Sequence, residues 1–429
     1  MSDTPNQQNT CDLCGRPAKV VGPFIEMMPR PPKSEPHLVC GKCMELGLSV
    51  VNAQANSNKE KLKDLSVPSP QDLVAHLDRY VIGQEVAKMT MSVAVVNHYK
   101  RLMSLSNQDQ GPFGDVELSK SNVLMIGPTG CGKTLIAQTL AKALDVPLAV
   151  GDATSLTQAG YVGEDVESLL LRLIMEADGN IAAAERGIIY IDEIDKIAAS
   201  RGNVSITRDV GGEGVQQALL KVLEGTVANV PQGGGRKHPE QQYIQLNTAN
   251  ILFICGGSFV GLPELIGKRI GRRQIGFGAG SAGEDGDLSK DDLLSRVTPE
   301  DLHEYGMIPE FIGRLPVVLT INHLTEDQMV DILLKPRHAL VRQAQKLFHM
   351  DGVDLQFTDS AVRAIARKAH ARGSGARGLR SVVEQIMIPI NFRIADIKPV
   401  GKLTIDEKVV EAEGKADVSQ MIAKARGKK

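Results

Sequence analysis

The stretch GPTGCGKT (127–134) follows the apolar run NVLMI (122–126) and precedes LIAQTLAKAL, a segment with helical periodicity. A glycine-rich turn between a buried strand and a helix, ending in Gly-Lys-Thr, is the pattern of a phosphate-binding P-loop. The pattern predicts a nucleotide site, with Lys133 bridging the β and γ phosphates and Thr134 ligating Mg²⁺. Backbone N–H groups would surround phosphate oxygens, helped by the helix N-terminus, along Gly127, Pro128, Thr129, Gly130, Cys131, Gly132, Lys133, Thr134 and Leu135.

A second apolar run, IIYIDEID (188–195), ends in adjacent acids. A strand of this kind would deliver Asp192 to Mg²⁺, directly or through water, and Glu193 to an attacking water. A general base is useful only if water attacks, so the pair indicates hydrolysis rather than binding alone. The alternative is a strand that merely ends in solvated acids, and the P-loop pattern in the same chain disfavours it.

The pattern of apolar runs predicts a wound α/β core with buried parallel strands. The runs are NVLMI (122–126), PLAV (147–150), GIIYID (187–192), NILFIC (250–255) and PVVLTI (316–321). Polar, glycine-rich interruptions at 199–213 and 267–290 predict loops. After Leu324 the pattern becomes helical, with a capping signature at Thr325 and Gln328, a helix start in SGARGLRSVVEQIM and a strand in KLTIDEKVVEA.

Composition limits the possible partners. The 429 residues carry a net charge of -2, so no global positive field exists to hold nucleic acid or an anionic membrane. No apolar run approaches the roughly 18 residues of a membrane span. The first residues, MSDTPNQQNT, lack the basic and apolar regions of a signal peptide. We therefore expect a cytoplasmic protein.

Four of the six cysteines form two CxxC pairs, Cys11 with Cys14 and Cys40 with Cys43. Two such pairs can make a closed tetrahedral site for a structural Zn²⁺. The 25 residues between the pairs exceed the usual spacing of about 15–20. A disulfide or a metal-free arrangement is the alternative, and a reducing compartment disfavours the disulfide.

The P-loop, IDEID, EFIGR (310–314) and GARGLR (375–380), in this order, resemble the AAA+ ATPases. The CxxC pairs, AGYVGED (159–165) and IGFG (275–278) are similar to the ClpX family, the unfoldase subunits of Clp proteases. The resemblance implies an α/β AAA+ module, preceded by a small zinc-binding domain with four cysteine ligands. We assign residues 1–52 to the zinc-binding domain, 53–70 to a linker, 71–315 to the large ATPase domain and 316–429 to the small, mainly helical domain.

The resemblance also implies the activity. ATP, Mg²⁺ and structural Zn²⁺ would be the cofactors. A homohexamer would unfold protein substrates through its central pore and deliver them to a ClpP-type peptidase, without being a peptidase itself. Adaptors and some substrates would bind the zinc-binding domain, and neither a membrane nor nucleic acid is expected as a partner.

The family's site residues transfer onto matching positions. Val81 and Ile82 would flank the adenine, Arg314 would reach the ATP of a neighbouring subunit, and Arg377 would sense nucleotide from the small domain. Taken alone, any one arginine is more often a surface ion pair. The remaining positions are Tyr161 and Val162 in the first pore loop, Arg208 in the second, Arg236, Lys237 and His238 at the pore entrance, and Ile275, Gly276 and Phe277 for peptidase docking.

Some features depart from the family or favour other functions. Cys131 stands where the family commonly has Ser, and a thiol there would make the ATPase oxidisable. The usual polar sensor after NILFIC is missing, with Ser258 as a weak candidate. KRIGRR (268–273) suggests a zinc-ribbon nucleic-acid-remodelling AAA+ motor as the alternative function. A third possibility is an adaptor-type zinc module whose ATPase serves only assembly.

Overall fold

The computed structural model of the chain describes residues 10–11, 14, 16–27, 37–45, 49, 67–106, 113–157, 164–199, 212–231, 243–273, 288–394 and 401–412. The chain divides into two compact units, Met1–Ser66 and Val67–Lys429. The described part of the first unit contains helix α1 (Ala18–Val21), the antiparallel strands β1 (Phe24–Met27) and β2 (His37–Cys40), and helix α2 (41–45).

The second unit holds the remaining described elements. Its strands are β3 (Val123–Ile126), β4 (Leu148–Asp152), β5 (Ile188–Asp192), β6 (Val227–Pro231), β7 (Tyr243–Asn247), β8 (Leu252–Gly257), β9 (Val317–Thr320), β10 (Asp354–Phe357) and β11 (Lys402–Ile405). Its helices are α3 (Pro70–Leu77), α4 (Glu85–Ser106), α5 (Lys133–Leu144), α6 (Val166–Glu176), α7 (Ile181–Ala184), α8 (Glu213–Glu224), α9 (Leu262–Arg273), α10 (Lys290–Ser295), α11 (Pro299–Tyr305), α12 (Pro309–Gly313), α13 (Glu326–Leu334), α14 (Leu340–Met350), α15 (Asp359–Ala371), α16 (Ala376–Phe392) and α17 (Glu407–Glu411).

The five apolar runs form one parallel sheet in the order β4-β5-β8-β3-β9, which confirms the predicted α/β core. Strands β3 and β8 are buried along their whole length, as expected for strands covered on both faces. Because all five strands are parallel, their carboxyl ends share one edge of the sheet. The predicted P-loop follows β3 at this edge, and Asp192 is the last residue of β5 there.

Two separate apolar cores can be traced among the described residues of the second unit. The first packs around the parallel sheet, with Leu173 and Phe253 among its fully buried members. The second packs helices α13 to α17 against β10 and β11, with Leu333 and Phe348 inside. Strand β9 pairs with β3, although a boundary at residue 316 would assign it to the small domain. We therefore propose that the large domain extends to about Asn322.

Two local predictions were wrong in part. The expected loop from Gly267 begins with the last turns of α9, whose Leu262 and Ile266 are buried in the first core. Tertiary packing of this face overrides the poor helix propensity of its glycines. In KLTIDEKVVEA the strand ends at Ile405, because the side chain of Asp406 accepts from the N–H of Val409 and caps α17. The capping box of Thr325 and Gln328 is confirmed.

Among the described helices, none combines the length and the apolar composition that a membrane span requires.

Candidate nucleotide and metal sites

The predicted P-loop connects the end of β3 to the start of α5. Gly132, with φ at 105°, is the N-cap of this helix, and Lys133 is its first residue. The Lys133 side chain is buried, and its Nζ donates to the carbonyl oxygens of Gly127 at 2.6 Å and Pro128 at 2.9 Å. The backbone of the loop therefore curves around the ammonium group of Lys133. A cation at a helix N-terminus inside such a curve favours an anionic ligand.

The two predicted Mg²⁺ ligands lie together. Oγ1 of Thr134 is 3.2 Å from Oδ2 of Asp192, across the gap between α5 and the end of β5. A hydroxyl and a carboxylate oxygen at this edge match the oxygen ligands that Mg²⁺ prefers, with phosphates and waters completing its shell. The residues present therefore fit a Mg·nucleotide complex.

Glu193 follows directly and is exposed. Its N–H donates to Oδ1 of Asp192 at 3.0 Å, and its backbone is left-handed, with φ 55° and ψ 34°. This conformation costs a non-glycine residue about 1–3 kcal/mol and is concentrated at functional sites. The turn directs the chain away from β5 immediately after Asp192, the predicted magnesium ligand.

Tyr190 stands inside an apolar run, so the sequence pattern predicts a core residue and gives no sign that it lies near the predicted site. It is fully buried, and a Cβ on Gly256 of the neighbouring strand would overlap its hydroxyl oxygen. Its hydroxyl makes no well-aligned hydrogen bond among the described residues, although it lies near Thr134 and Asp192. Burial raises the pKa of Tyr190, and the carboxylate of Asp192 raises it further, whereas Thr134 lowers it. Tyr190 stands two residues before the predicted magnesium ligand Asp192 in β5, so the two side chains lie on the same face of the strand.

The second core contacts the P-loop through the start of α16. The N–H of Ala376 donates to the carbonyl oxygen of Gly130 at 2.9 Å. Gly375, with φ at 59°, approaches so closely that a Cβ there would lie 2.8 Å from the same oxygen. Arg377 is the next residue along α16 and is exposed. The structure thus brings the start of the Arg377 helix to the P-loop of its own chain.

Val81 and Ile82 follow α3, which packs against α5. Val81 is buried, and Ile82 is half-buried. Two residues later, the Gln84 side chain bonds both the carbonyl (2.8 Å) and the N–H (3.0 Å) of Asn322. The preceding carbonyl, of Ile321, lies so close to Gly127 that a Cβ there would overlap it. The predicted adenine-flanking segment therefore lies at the junction between the two cores, next to the start of the P-loop.

Arg314 is not brought to the P-loop of its own chain. It is the C-cap of α12, and its guanidinium pairs with Oε1 of Glu224 at 2.8 Å on the half-exposed surface. Its carbonyl oxygen accepts from Nδ2 of Asn122 at 2.9 Å. Asn122 precedes β3, whereas the P-loop follows it, so the length of this strand, about 13 Å, separates the two.

Ser258 and Cys131 use their polar atoms within the protein. Ser258 donates its hydroxyl to Oδ2 and its N–H to Oδ1 of buried Asp195, both at 3.0 Å. Cys131 donates its thiol to the carbonyl oxygen of Pro128 at 2.7 Å. Burial raises the pKa of the Cys131 thiol, which lowers its thiolate fraction. The geometry gives Cys131 the hydrogen bond that a Ser would make and argues against a reactive thiol.

The four N-terminal cysteines form one cluster in the first unit, with all four sulfur atoms within 4.8 Å of one another. Cys14 and Cys40 place their sulfurs 3.9 Å apart, far beyond a disulfide bond. Zn–S bonds of about 2.3 Å in a tetrahedron place sulfurs about 3.8 Å apart. The N–H of Cys40 also donates to the sulfur of Cys11 at 3.3 Å, as expected for a thiolate ligand. The cluster therefore fits a structural zinc ion.

The predicted pore and docking residues lie outside the described residues. They are Tyr161, Val162, Arg208, Arg236, Lys237, His238, Ile275, Gly276 and Phe277. The chain on either side of the predicted first pore loop is described, and the N–H of Thr157 donates to the carbonyl of Glu164 at 2.9 Å. Within KRIGRR, Arg269 bonds the buried carboxylate of Asp301 at 2.7 Å and 2.9 Å. Arg269 is therefore engaged within the fold by a buried carboxylate.

Comparison with known proteins gives the family. Residues 118–318 match the AAA domain (Cdc48 subfamily), and residues 324–391 match the C-terminal D2-small domain of ClpB protein. A protein of Treponema denticola named "ATP-dependent Clp protease ATP-binding subunit ClpX" is 49% identical over 372 residues, 87% of this chain and 88% of the relative. A protein of the same name from Borrelia duttonii is 48% identical over 401 residues, 93% of this chain and 90% of the relative. The chain therefore carries an AAA ATPase domain and belongs to the ClpX family, as its motifs predicted.

Proposed function

We propose that the chain is an ATP-driven protein unfoldase that works as a homohexamer and delivers its substrates to a ClpP-type peptidase. The observation that carries the proposal is the division of the nucleotide machinery between two edges of the sheet. The P-loop, Glu193 and the start of the Arg377 helix meet at one edge, while the Arg314 backbone is anchored at the other. A site that needs Arg314 must take it from another copy. Repeated head-to-tail contacts of this kind close into a ring.

Within one site, the residues divide the work. The P-loop N–H groups and Lys133 would hold the phosphates, and Thr134 and Asp192 would hold Mg²⁺, which would supply positive charge to the phosphate oxygens. Glu193 orients the attacking water and accepts its proton. Val81 and Ile82 contact the adenine, and Arg377 links the phosphates to the small domain.

Arg314 contributes to the neighbouring site. Negative charge develops on the transferring γ phosphate in the transition state. An arginine from a neighbouring subunit stabilises this charge and raises kcat by about 10³–10⁵-fold. Its present partner is Glu224, and both side chains are about half exposed. An exposed ion pair of this kind contributes about 0–1 kcal/mol, so Arg314 can exchange Glu224 for a phosphate at little cost.

The predicted pore loops would exert force on the substrate protein. We propose that Tyr161 and Val162 contact the unfolded chain in the pore, with Arg208 in a second loop and Arg236, Lys237 and His238 at the entrance. An aromatic side chain offers contact area without reading sequence. Ile275, Gly276 and Phe277 would dock the peptidase, and the cysteine cluster with Zn²⁺ would receive adaptors. Such a protein would act in the cytoplasm.

Degradation of a folded, tagged reporter protein with ATP and added ClpP-type peptidase tests the proposal. The reporter should be degraded in the presence of the wild-type protein. Glu193→Gln should bind ATP but should not support degradation of the reporter. Tyr161→Ala should keep ATPase activity while losing unfolding, whereas deletion of 275–277 should keep unfolding and lose degradation. A protein that stays monomeric with saturating ATP, or that hydrolyses ATP without unfolding the reporter, would contradict the proposal.

A further inference from the structure

Gln216 in the first turn of α8 has a fully buried side chain that bonds at both ends. Its amide oxygen accepts from the N–H of Ile308 at 2.8 Å. Its amide nitrogen donates to the carbonyl oxygens of Ile197 at 2.8 Å and Gly306 at 3.3 Å. A buried amide destabilises the fold unless both ends find partners, and here both do. One side chain therefore joins three segments that are distant along the chain.

Two of these segments lead to residues with a proposed catalytic role. Ile197 is the last residue of the 3₁₀ helix Ile194–Ile197, whose N-cap is Glu193. Ile308 is the N-cap of α12, whose C-cap is Arg314. Because α12 has only five residues, a displacement of its first turn carries Arg314 with it. Gln216 is thus bonded both to the segment that begins at the general base and to the arginine helix.

Two further side chains, Glu224 and Asn122, bond Arg314 at the end of α12. Glu224, the last residue of α8, pairs with the guanidinium of Arg314, and Asn122 bonds the Arg314 carbonyl. The Glu224 pair is exposed and exchangeable, whereas the side chains of Gln216 and Asn122 are buried. The backbone of Arg314 is therefore fixed while its side chain can change partner. The position of the Arg314 backbone therefore depends on the buried hydrogen bonds of Gln216 and Asn122.

We propose that Gln216 is a positioning residue that holds the Arg314 helix in register with the segment after Glu193. The inference rests on the proposed role of Arg314 at a neighbouring site. Through Gln216, a displacement of the segment after Glu193 at one site reaches the arginine offered to the next site. Coupling of this kind requires a direct test of non-additivity, because spatial proximity alone does not establish it.

The test is a double-mutant cycle on ATP hydrolysis by the full-length protein, with Gln216→Met and Arg314→Ala singly and together. The matched control is Gln217→Met, since Gln217 is adjacent, exposed and bonded only to Glu213 of its own helix among the contacts described. Arg314→Ala should lower kcat at least about 10³-fold. Gln216→Met should lower kcat about tenfold to a hundredfold at unchanged KM, because small misplacements cost that much. Gln217→Met should stay within about twofold of wild type.

The outcome depends on the double variant. If Gln216 acts through Arg314, adding Gln216→Met to Arg314→Ala should change kcat by less than about twofold. An equal loss in both backgrounds would overturn the positioning role and leave the role of Arg314 intact. An unchanged kcat in Arg314→Ala alone would instead overturn the arginine assignment and this inference with it. Should Gln216→Met not fold, Gln216→Asn, a shorter amide that brings no charge into the buried site, takes its place under the same criterion.

Discussion

Replacing Gly375 with alanine tests the contact between α16 and the P-loop. Gly375 has φ 59° and ψ -149°, a region almost restricted to glycine. A Cβ there would lie 2.8 Å from the carbonyl oxygen of Gly130 and 3.0 Å from that of Thr129, closer than ordinary van der Waals contact. We expect Gly375→Ala to displace the start of α16, and Arg377 with it, from the predicted phosphate-binding loop.

The size of the effect follows from two contributions. The backbone conformation costs an alanine about 1–3 kcal/mol. Separation of the helix from the loop also loses the hydrogen bond from Ala376 to Gly130, worth about 0.5–1.5 kcal/mol. Part of this strain is relieved by moving the loop out of its phosphate-binding shape. We therefore expect nucleotide affinity to weaken by about 1.4–2.8 kcal/mol, which is about tenfold to a hundredfold in Kd.

The assay is titration of the full-length protein with a fluorescent ADP analogue. Gly373→Ala is the matched control, because Gly373 also has a positive φ of 64° but no atom within 4 Å of the added Cβ. It should lower thermal stability slightly through backbone strain and keep wild-type affinity. Equal affinities for the two alanine variants would refute the idea that close approach of α16 shapes the nucleotide loop.

Three further predictions concern other parts of the chain. Peroxide should inhibit the ATPase of Cys131→Ser and wild type equally, since burial raises the pKa of the thiol; protection by the substitution would contradict this. Burial, with the charges of Lys120 and Arg101, lowers the pKa of His98 to about 3, below its unfolded value of about 6.5. As the pH falls, the unfolded state therefore binds a proton at His98 before the folded state does. The contribution of His98 to the free energy of unfolding is full above pH 6.5 and should be smaller by about 1.4 kcal/mol at pH 5.5, measured by thermal melts. His98→Gln should flatten this dependence, and exposed His349→Gln should not. Cys40→Ser should reduce bound zinc, measured by elemental analysis, while basal ATPase persists; equal loss of both would contradict a purely structural zinc site.

Local pattern was sufficient where neighbours in sequence are also neighbours in space. The buried strands were found from apolar runs, and the capping box of Thr325 and Gln328 involves residues three apart. Thr134 and Asp192 are distant in sequence, but the parallel order of the strands brings the loop after β3 and the end of β5 to one edge of the sheet. The core strands, and the position of the predicted P-loop between β3 and α5, were therefore within reach of the sequence.

Other features depend on contacts that sequence pattern does not encode. Gln216 bonds residues 19 and about 90 positions away, and a polar residue beside exposed Gln217 gives no sign of burial. The glycine-rich end of α9 reads as a loop, yet Arg269 in it pairs with buried Asp301. In each case the deciding partner is far along the chain, so propensity favoured the wrong structure or missed the role.

The position of Arg314 leads to a test that separates action within a chain from action between chains. Arg314→Ala lacks the arginine and Glu193→Gln lacks the base, so each variant alone should hydrolyse ATP very slowly. In a ring assembled at random from equal amounts of both, a site is complete when its own chain keeps Glu193 and its neighbour keeps Arg314, so about a quarter of the sites should be active. If Arg314 served its own site, every chain in the mixture would lack one of the two groups, and mixing would restore nothing. The anchoring of Arg314 to Asn122, at the opposite end of β3 from the P-loop, predicts recovery.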